Sequence, residues 1–412
     1  MPNFKLSYNY LKAIWVLLMG IGTLFSVQSL SAQCASSNLG QASDFVVFTF
    51  GNFTCNQGDQ IWGRTAVGEN FTVSNWGIGA NSCLTNNTNR YDLVVGGNLN
   101  YNTGTVNNGS VAYGGTLVSA PTLALGGATI TQTSAVVNFS ATETALKAKS
   151  NYWASLATTG TINNNGFGTI TLTGANPSLN VFNLTAAQVS AYSYLNIEYN
   201  VPASSTVLVN VSGNLSSMPQ TTVTYNNAQI NTGTIGSNFQ TCPQSKIIWN
   251  LSSSTTSMTM NNVGFQGSLL APWTAISSQQ GEMNGQLIVK SITQSQAGVA
   301  VIQVHCTRFQ GCLPESCNLI INPSITNVTC FGLSNGQVSL SASNANGAVS
   351  YLWNDNITSS SRNNLSAGTY TVVATDANSC TSSTTFSVTQ PAQVTADAGS
   401  ALSLTCTTPS GT

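Results

Sequence analysis

Side chains able to carry acid–base chemistry are few in this sequence. The 412 residues include 11 Asp and Glu residues and one histidine, His305. Cleavage of a glycosidic bond needs two carboxyl groups that converge on it, whereas Asp44, Asp59, Asp92 and Glu282 are far apart in the sequence. We therefore predict no catalytic residue, with a carbohydrate-active β-helix enzyme as a weak alternative. His305 lies in a strand-like segment and is interpreted as structural.

The ten cysteines are interpreted as disulfide candidates, and no metal site or cofactor is predicted. No two cysteines form a Cys-x-x-Cys pair, so a zinc site is not expected. The sequence Thr375–Asn378 is more typical of an Asx turn around Asp376 than of a calcium loop. The cysteines are Cys34, Cys55, Cys83, Cys242, Cys306, Cys312, Cys317, Cys330, Cys380 and Cys406.

The N-terminus predicts export. Lys5 and Lys12 precede an apolar segment, Ala13–Val27, and small residues follow up to Ala32. This is the pattern of a signal peptide, which we assign to residues 1–32, with Gln33 as the first mature residue. An exported chain meets conditions in which disulfides form. A lipidated Cys34 is disfavoured, because Gln33 is a poor residue before a lipidated cysteine.

The composition excludes a strongly charged partner. Charged residues make up 5% of the chain and the net charge is −1, which excludes a basic nucleic-acid surface and a polybasic membrane arm. Hydrophobic residues make up 42%, which argues against disorder. β-Branched and aromatic residues alternate with small polar ones among 36 glycines. This composition predicts many short strands joined by tight turns.

Two pairs of segments recur with an offset of 18 residues. Gly267–Leu270 matches Gly285–Ile288, and Val94–Gly97 matches Ala112–Gly115. A repeat of this length is too short for a helical hairpin but suits one coil of a β-solenoid, in which stacked coils share a core. Two unrelated hairpins with Gly-rich turns are the alternative.

One segment has helical periodicity. Ser140 and Glu143 have the spacing of a capping box, and we predict a helix over Ala141–Ala157. A helix of this length is marginal alone, so it should lie along the solenoid. The apolar side chains expected to pack there, rather than to form a binding platform, are Leu146, Tyr152, Trp153 and Leu156.

The predicted fold class is mainly β: a β-solenoid with one long flanking helix, followed by an Ig-like β-sandwich repeat. We place the solenoid at 36–306, a Cys-rich linker at 307–317 and the sandwich at 318–393. Residues 394–412 begin a further β domain, and an anchoring or sorting domain is expected beyond residue 412. Cys330 and Cys380 bracket the sandwich and are predicted to form a disulfide, which would contribute about 4 kcal/mol.

The first unit resembles the choice-of-anchor A domain of bacterial surface proteins, which is described as adhesive. The resemblance also extends to ice-binding-like β-solenoids with one helix along the coil stack. The matching segments are collinear over most of the unit: Leu39–Phe45, Gly63–Gly68, Leu93–Leu99, Leu172–Gly174, Leu179–Asn183, Val207–Gly213, Ile248–Asn250, Gly267–Pro272 and Asn284–Gln286.

The second unit resembles the SprB-type repeat of Bacteroidetes gliding-motility adhesins. Ser379 departs from the glycine that the family usually has before its last cysteine. The matching segments are Thr329–Gly332, Asn335–Gly336, Tyr351–Trp353, Leu365–Val372 and Thr375–Cys380.

These resemblances imply a non-catalytic secreted or cell-surface adhesin, with a solenoid head for attachment and sandwich repeats as a stalk. The expected partner is an extracellular glycan, matrix protein or surface. Nucleic-acid binding is not expected, nor is membrane insertion after signal cleavage. Ice binding is the first alternative, since Thr169–Thr173 resembles an ice-binding threonine ladder. A single strand of this kind is more often ordinary outward-facing threonine.

Overall fold

The structure, a computed structural model, describes residues 39–79, 84–230, 242–294, 301–315, 318–345, 347–377 and 380–395. The predicted signal peptide lies outside the described residues, as does the predicted further domain apart from residues 394–395.

The first unit is built almost entirely from short strands, numbered here in chain order. They are β1 (Val47–Thr49), β2 (Phe53–Cys55), β3 (Gln60–Ile61), β4 (Thr65–Val67), β5 (Phe71–Val73), β6 (Trp76–Ile78), β7 (Tyr91–Val95), β8 (Leu99–Tyr101), β9 (Gly104–Val106), β10 (Ser110–Tyr113), β11 (Leu117–Ser119), β12 (Thr122–Leu123), β13 (Ile130–Gln132), β14 (Thr161–Asn164), β15 (Thr169–Thr173), β16 (Leu179–Thr185), β17 (Tyr194–Asn200), β18 (Thr206–Ser212), β19 (Gln220–Tyr225), β20 (Ala228–Ile230), β21 (Ile247–Leu251), β22 (Ser257–Gln266), β23 (Ser268–Asn284), β24 (Leu287–Gln294) and β25 (Gln303–Val304).

A long parallel ladder forms what we call the first face of the solenoid. Its strand order is β16–β18–β21–β23–β24–β1–β4–β7–β10–β13. Side chains such as Val47, Val67 and Val209 point inward and are buried in the solenoid core. Since side chains alternate along a strand, their neighbours point out of the solenoid.

Two further ladders close the solenoid. The second face has the order β22–β23–β24–β2–β5–β8–β11. The third face has the order β22–β23–β25–β3–β6–β9–β12. The five-stranded sheet β14–β15–β17–β19–β20 continues the third face, because Thr221 Oγ1 of β19 donates to the carbonyl of Gly264 in β22 at 2.9 Å.

The coils do not stack in chain order. The chain enters the middle of the stack, where β1 pairs with β24 through Val47 and Leu287. It winds outward to β13 and then returns along the outside of the first face through helix α1 (Phe139–Ala154). The next first-face strand, β16, lies at the opposite end of the ladder, and the chain winds back from it to β24. The helix thus connects the two ends of the stack.

Both pairs of matched segments are neighbouring coils, as predicted. Ala112 pairs with Val94 in parallel, and Leu270 pairs with Ile288 in parallel; the hairpin alternative is therefore wrong. The repeated glycine has a steric cause: a Cβ on Gly114 would collide with the carbonyl oxygen of Gly96 in the coil below. Only glycine lets the chain turn the corner this close to its neighbour.

The helix begins two residues before the predicted start, and its cap differs from the prediction. Asn138 is the N-cap, since its Oδ1 accepts from the backbone N–H of Ala141 at 3.0 Å. Ser140 lies inside the helix, and Glu143 instead forms an ion pair with Lys147 at 2.6 Å. Ser and Asn cap equally well, so the sequence pattern alone could not choose between them.

A second, short helix was not predicted. Helix α2 (Ala186–Ser190) is capped by a complete capping box formed by Thr185 and Gln188. It joins β16 to β17 at one corner of the solenoid.

Helix α1 buries its apolar side against the first face, as predicted. Leu146 and Trp153 are buried, and Tyr152 and Leu156 are partly buried against the same cluster. The first-face side chains beneath the helix belong to this second core: Phe48, Val94, Val181, Leu208, Ile248, Leu270 and Ile288. The solenoid therefore has apolar cores on both sides of its first face.

The predicted linker packs on the first unit over its described residues. Phe309 and Leu313 are buried in the second core. The Trp153 Nε1–H donates to the carbonyl of Pro314 at 2.7 Å, and Glu315 pairs with Lys149 of α1 at 2.8 Å. Residues 307–315 therefore extend the solenoid unit beyond the predicted boundary at residue 306.

The second unit is a β-sandwich of two antiparallel three-stranded sheets. Trp353 and Val372 are among the side chains buried between the sheets. Its strands are β26 (Ile320–Thr326), β27 (Gly336–Ser343), β28 (Ser350–Trp353), β29 (Ser361–Leu365), β30 (Gly368–Thr375) and β31 (Thr381–Val388).

The structure contradicts the predicted Cys330–Cys380 disulfide. Cys330 is a free, exposed thiol close to where Val328 donates to the carbonyl of Thr389, after the end of β31. Cys380 comes immediately before the start of β31. At about 3.3 Å per residue this strand separates them by ~26 Å, whereas Cα atoms of a disulfide lie within about 7 Å. Bracketing a unit in sequence therefore does not place two cysteines at one end of it.

Candidate binding faces

An amide network joins α1 to part of the first face. Asn183, Asn210 and Asn250 are neighbours on β16, β18 and β21. Asn210 Nδ2 donates to the carbonyl of Trp153 at 2.8 Å, and Asn250 Nδ2 donates to the carbonyl of Ser150 at 2.9 Å. These bonds fix α1 over β18 and β21 of the first face.

The second face carries a straight row of outward hydroxyl and amide groups. In β5 the flanking Phe71 and Val73 are buried, whereas Thr72 between them is partly exposed. The same position is polar in each coil of the ladder, and the row runs Thr259, Ser277, Thr293, Thr54, Thr72, Asn100 and Ser119. Adjacent members are spaced by the strand separation of about 4.8 Å. The row presents hydroxyls that both donate and accept hydrogen bonds.

A stack of asparagines holds neighbouring coils in register at the edge of this face. Asn52 Oδ1 accepts from the backbone N–H of Asn70 at 2.9 Å, and Asn70 Oδ1 accepts from that of Asn98 at 3.0 Å. The sequence signal is the triplet Asn-Phe-Thr, which occurs at 52–54 and again 18 residues later at 70–72. The row was not predicted from the sequence, although this repeated triplet marks two of its coils.

A cleft on the third face brings two carboxylates together. Its volume is about 610 Å³, and Asp59, Glu282 and Gln303 are among its lining residues. The pairing of β25 with β3, through Val304 and Ile61, places these distant segments side by side. This pair was not predicted from the sequence, because Asp59 and Glu282 belong to coils that stack out of chain order.

The surroundings of Asp59 in the cleft make its carboxyl group easier to protonate than an exposed carboxyl group. Burial raises the pKa of Asp59, and the charge of Glu282 raises it further, against the hydrogen bond from the Gln60 N–H at 2.8 Å. Burial also lowers the pKa of His305, with Glu282 opposing that shift. Two carboxylates on a cleft are the minimum that glycosidase chemistry requires.

His305 has the structural surroundings that the sequence analysis expected. The side chain is fully buried. Its Nδ1 lies 2.5 Å from Asn284 Oδ1, its Nε2 lies 3.1 Å from Gln303 Oε1, and its ring packs on Trp62 with centroids 3.9 Å apart. Both ring nitrogens therefore have partners within the protein.

Other residues singled out from the sequence have ordinary structural roles. Asp376 Oδ1 accepts from the Cys380 N–H at 3.0 Å. This bond spans four residues, whereas an Asx turn spans two, so the carboxylate closes the loop between β30 and β31 in a different way. Thr169, Thr171 and Thr173 are partly or fully exposed on β15, as expected for outward-facing threonines. Within the described ranges, no group of three or more His, Cys, Asp and Glu residues could hold a metal ion. No helix in those ranges is long and apolar enough to cross a membrane.

Comparison with known proteins identifies two families along the chain. Residues 38–301 match the family described as "Putative Ice-binding-like adhesive domain". Residues 322–358 match the SprB repeat. The order is the one predicted from the sequence, and both families are of non-catalytic kinds.

Similarity to individual proteins is remote. No curated protein matches the chain. A solved structure, the crystal structure of an ice binding protein from an Antarctic biological consortium, is 13% identical and covers 67% of this chain and 93% of that one, with a TM-score of 0.27.

Proposed function

We propose a function from the family to which the chain belongs, that of the ice-binding-like adhesive domains. The protein is a non-catalytic adhesin that is displayed at the cell surface or secreted. The solenoid is the attachment head, and the SprB repeat that follows it is part of a stalk. The ligand class expected from the sequence is an extracellular glycan, matrix protein or surface.

The observation that carries this proposal is that the three faces differ in whether other segments cover them. The first face is covered by α1 and by residues 307–315. No described segment covers the second and third faces, which present hydroxyls and amides in register from coil to coil. A long, regular surface with little charge suits contact with an extended or flat target rather than with a small molecule in a deep pocket.

Surface labelling of intact cells that produce the full chain tests the location. We expect a membrane-impermeant reagent to modify the protein, or the labelled protein to be recovered from the medium. A cytoplasmic protein made in the same cells is the matched control. Protection of the chain equal to that of the control would overturn the proposal.

Ice adsorption is the second candidate, because the second-face row is rich in threonine and evenly spaced. Thermal hysteresis and ice recrystallisation of the full chain would detect it. A double variant, Thr54→Lys with Thr72→Lys, interrupts the row at two adjacent coils. Ice activity that this variant loses would establish ice adsorption as the function, whereas no activity in the unmodified chain would exclude it.

A further inference from the structure

The outer surface of the five-stranded sheet forms an ordered polar array at one end of the third face. Strands β15, β17 and β19 run parallel, so their outward side chains line up in rows across the sheet. The rows are Thr169–Asn196–Thr222 and Thr171–Glu198–Thr224. All six side chains are partly exposed.

Hydrogen bonds within and between the rows hold these side chains in fixed positions. Glu198 Oε2 accepts from Thr171 Oγ1 at 2.8 Å, and Glu198 Oε1 accepts from Asn196 Nδ2 at 3.2 Å. Asn196 Oδ1 accepts from Thr222 Oγ1 at 3.1 Å. A carboxylate can accept about four hydrogen bonds, so Glu198 retains capacity for a ligand. The array is pre-organised, which lowers the cost of binding.

Exposed aromatic rings border this array. Tyr194, which pairs with Gln220 in the next row along the strands, is 53% exposed, and Phe167 at the β14–β15 turn is 92% exposed. The adjacent Gly168 has its Cβ position 3.1 Å from the Tyr194 carbonyl and 3.8 Å from the Tyr192 ring. The exposed rings of Phe167 and Tyr194 therefore lie at one end of the sheet beside Tyr192, which is partly exposed and packs on the solenoid core. Neighbouring exposed apolar groups are typical of binding sites.

A polar cleft opens at the same end. Its volume is about 400 Å³, and its lining includes Tyr192, Ser193, Gln220 and Asn261. This volume falls within the range of about 300–1,000 Å³ for ligand sites. Gln220 belongs both to the cleft and to the row of Tyr194, so cleft, rings and polar rows form one continuous surface.

We propose that this surface, the aromatic platform of Phe167, Tyr192 and Tyr194 together with Asn196 and Glu198, binds a neutral polysaccharide. The proposal rests on the adhesive function above and names the partner of the head. Sugar rings have apolar C–H faces that pack on aromatic rings, and hydroxyls that both donate and accept hydrogen bonds. The rows contain a carboxylate and no Lys or Arg, which disfavours an anionic polymer.

Affinity gel electrophoresis of the full chain tests this proposal. The probes are hydroxyethyl cellulose, galactomannan and laminarin as neutral polysaccharides, with alginate as an anionic one. We expect at least one neutral polysaccharide to retard the protein and alginate not to. The double variant Phe167→Ala with Tyr194→Ala should weaken that binding about tenfold or more, because two ring contacts are lost.

Two further variants separate the platform from general surface effects. Phe331→Ala removes a ring that is 49% exposed on the sandwich repeat and should leave retardation unchanged. Glu198→Gln keeps the shape of the array without its charge and should relieve the exclusion of alginate.

Four results would overturn the proposal: no retardation by any neutral polysaccharide, stronger retardation by alginate, full binding by the double variant, or equal losses with Phe331→Ala. Attachment of beads coated with the full chain distinguishes failure of the polysaccharide proposal from failure of the adhesive function. Attachment to surfaces without polysaccharide binding would overturn the platform alone, whereas loss of all attachment would overturn the adhesive function as well.

Discussion

Asn250 joins α1 to the first face through two hydrogen bonds with Ser150. Its side chain is 1% exposed. The Asn250 Nδ2 group donates to the carbonyl of Ser150 and to Asn210 Oδ1, and Asn250 Oδ1 accepts from Ser150 Oγ at 2.5 Å. Removing it leaves buried polar groups without partners, which costs about 1–3 kcal/mol. We expect Asn250→Ala to lower the free energy of unfolding by that amount, measured by chemical denaturation of the full chain.

Asn183 supplies the comparison within the same ladder. It accepts from Asn210 Nδ2 and donates to the carbonyl of Leu156, but it is exposed, so water can replace its side chain as a partner. Asn183→Ala should cost less than about 1 kcal/mol, as is usual for surface positions. Equal losses from the two variants would show that the buried network does not hold the helix.

Asp59 gives a prediction with a definite pH dependence. Its pKa is raised above the ordinary value of 3.8, mainly by burial. A carboxyl with a raised folded-state pKa destabilises the fold once pH exceeds that pKa, and the cost disappears as pH falls below the unfolded value. Asp59→Asn should therefore raise the melting temperature at pH 7, and the gain should vanish near pH 3.

The control for this variant is Asp355→Asn on the sandwich repeat. Asp355 forms an ion pair with Arg362 at 2.7 Å, so its neutralisation should bring no gain at pH 7. A melting temperature for Asp59→Asn that is unchanged or lower at pH 7 would contradict the account of the cleft.

The cleft that contains Asp59 and Glu282 is where glycoside hydrolysis would have to take place if the protein were an enzyme. Because both matched families are of non-catalytic kinds, we expect the full chain to release no reducing sugar from a polysaccharide panel. Release that disappears in both Asp59→Asn and Glu282→Gln would assign the cleft to a glycoside hydrolase and contradict the non-catalytic proposal.

At the scale of elements, helix α1 is stabilised more by the packing of one large side chain, Trp153, than by the helix propensity of its residues. Trp153 is fully buried, and its Nε1–H donates to the carbonyl of Pro314. Trp153→Ala should cost about 3–5 kcal/mol, the usual penalty for emptying a large aromatic site. Trp153→Phe retains most of the packing and should cost less, about 1–3 kcal/mol for the lost hydrogen bond.

Thermal unfolding of the two Trp153 variants, together with surface attachment, checks this prediction. A Trp153→Ala protein with an unchanged melting temperature and weakened attachment would mean that the side chain serves a ligand rather than the core.

Features that impose a steric constraint on the residue type could be predicted from the sequence. Features that depend on contacts between distant residues could not. The glycine corners at Gly96 and Gly114 recur because stacking forbids a Cβ there, so the coil register could be predicted from the sequence. The start of α1 was missed because Phe139, at its first turn, packs on Phe48 with ring centroids 5.3 Å apart. That contact joins residues that no local pattern connects.

The whole molecule shows the limit of sequence patterns more clearly. A repeat of 18 residues predicts neighbouring coils, but it does not reveal that β1 stacks on β24, about 240 residues later. The second-face row and the Asp59–Glu282 cleft both cross that junction. Their candidate sites therefore depend on an order of coils that only the folded structure provides.

The central claim is that the head attaches through the second and third faces, which none of the segments in the described ranges covers. Attachment under flow of beads coated with the full chain, to glass, polysaccharide and collagen films, tests it most directly. One variant carries Thr54→Glu, Thr105→Glu and Asn196→Glu on these faces. Its control carries the same added charge on the repeat, as Thr369→Glu, Thr385→Glu and Ser387→Glu.

The account predicts that the head variant, with an unchanged melting temperature, detaches at a shear stress at least several-fold lower, while the repeat variant attaches like the unmodified chain. Retained attachment by the head variant, or loss confined to the repeat variant, would contradict it.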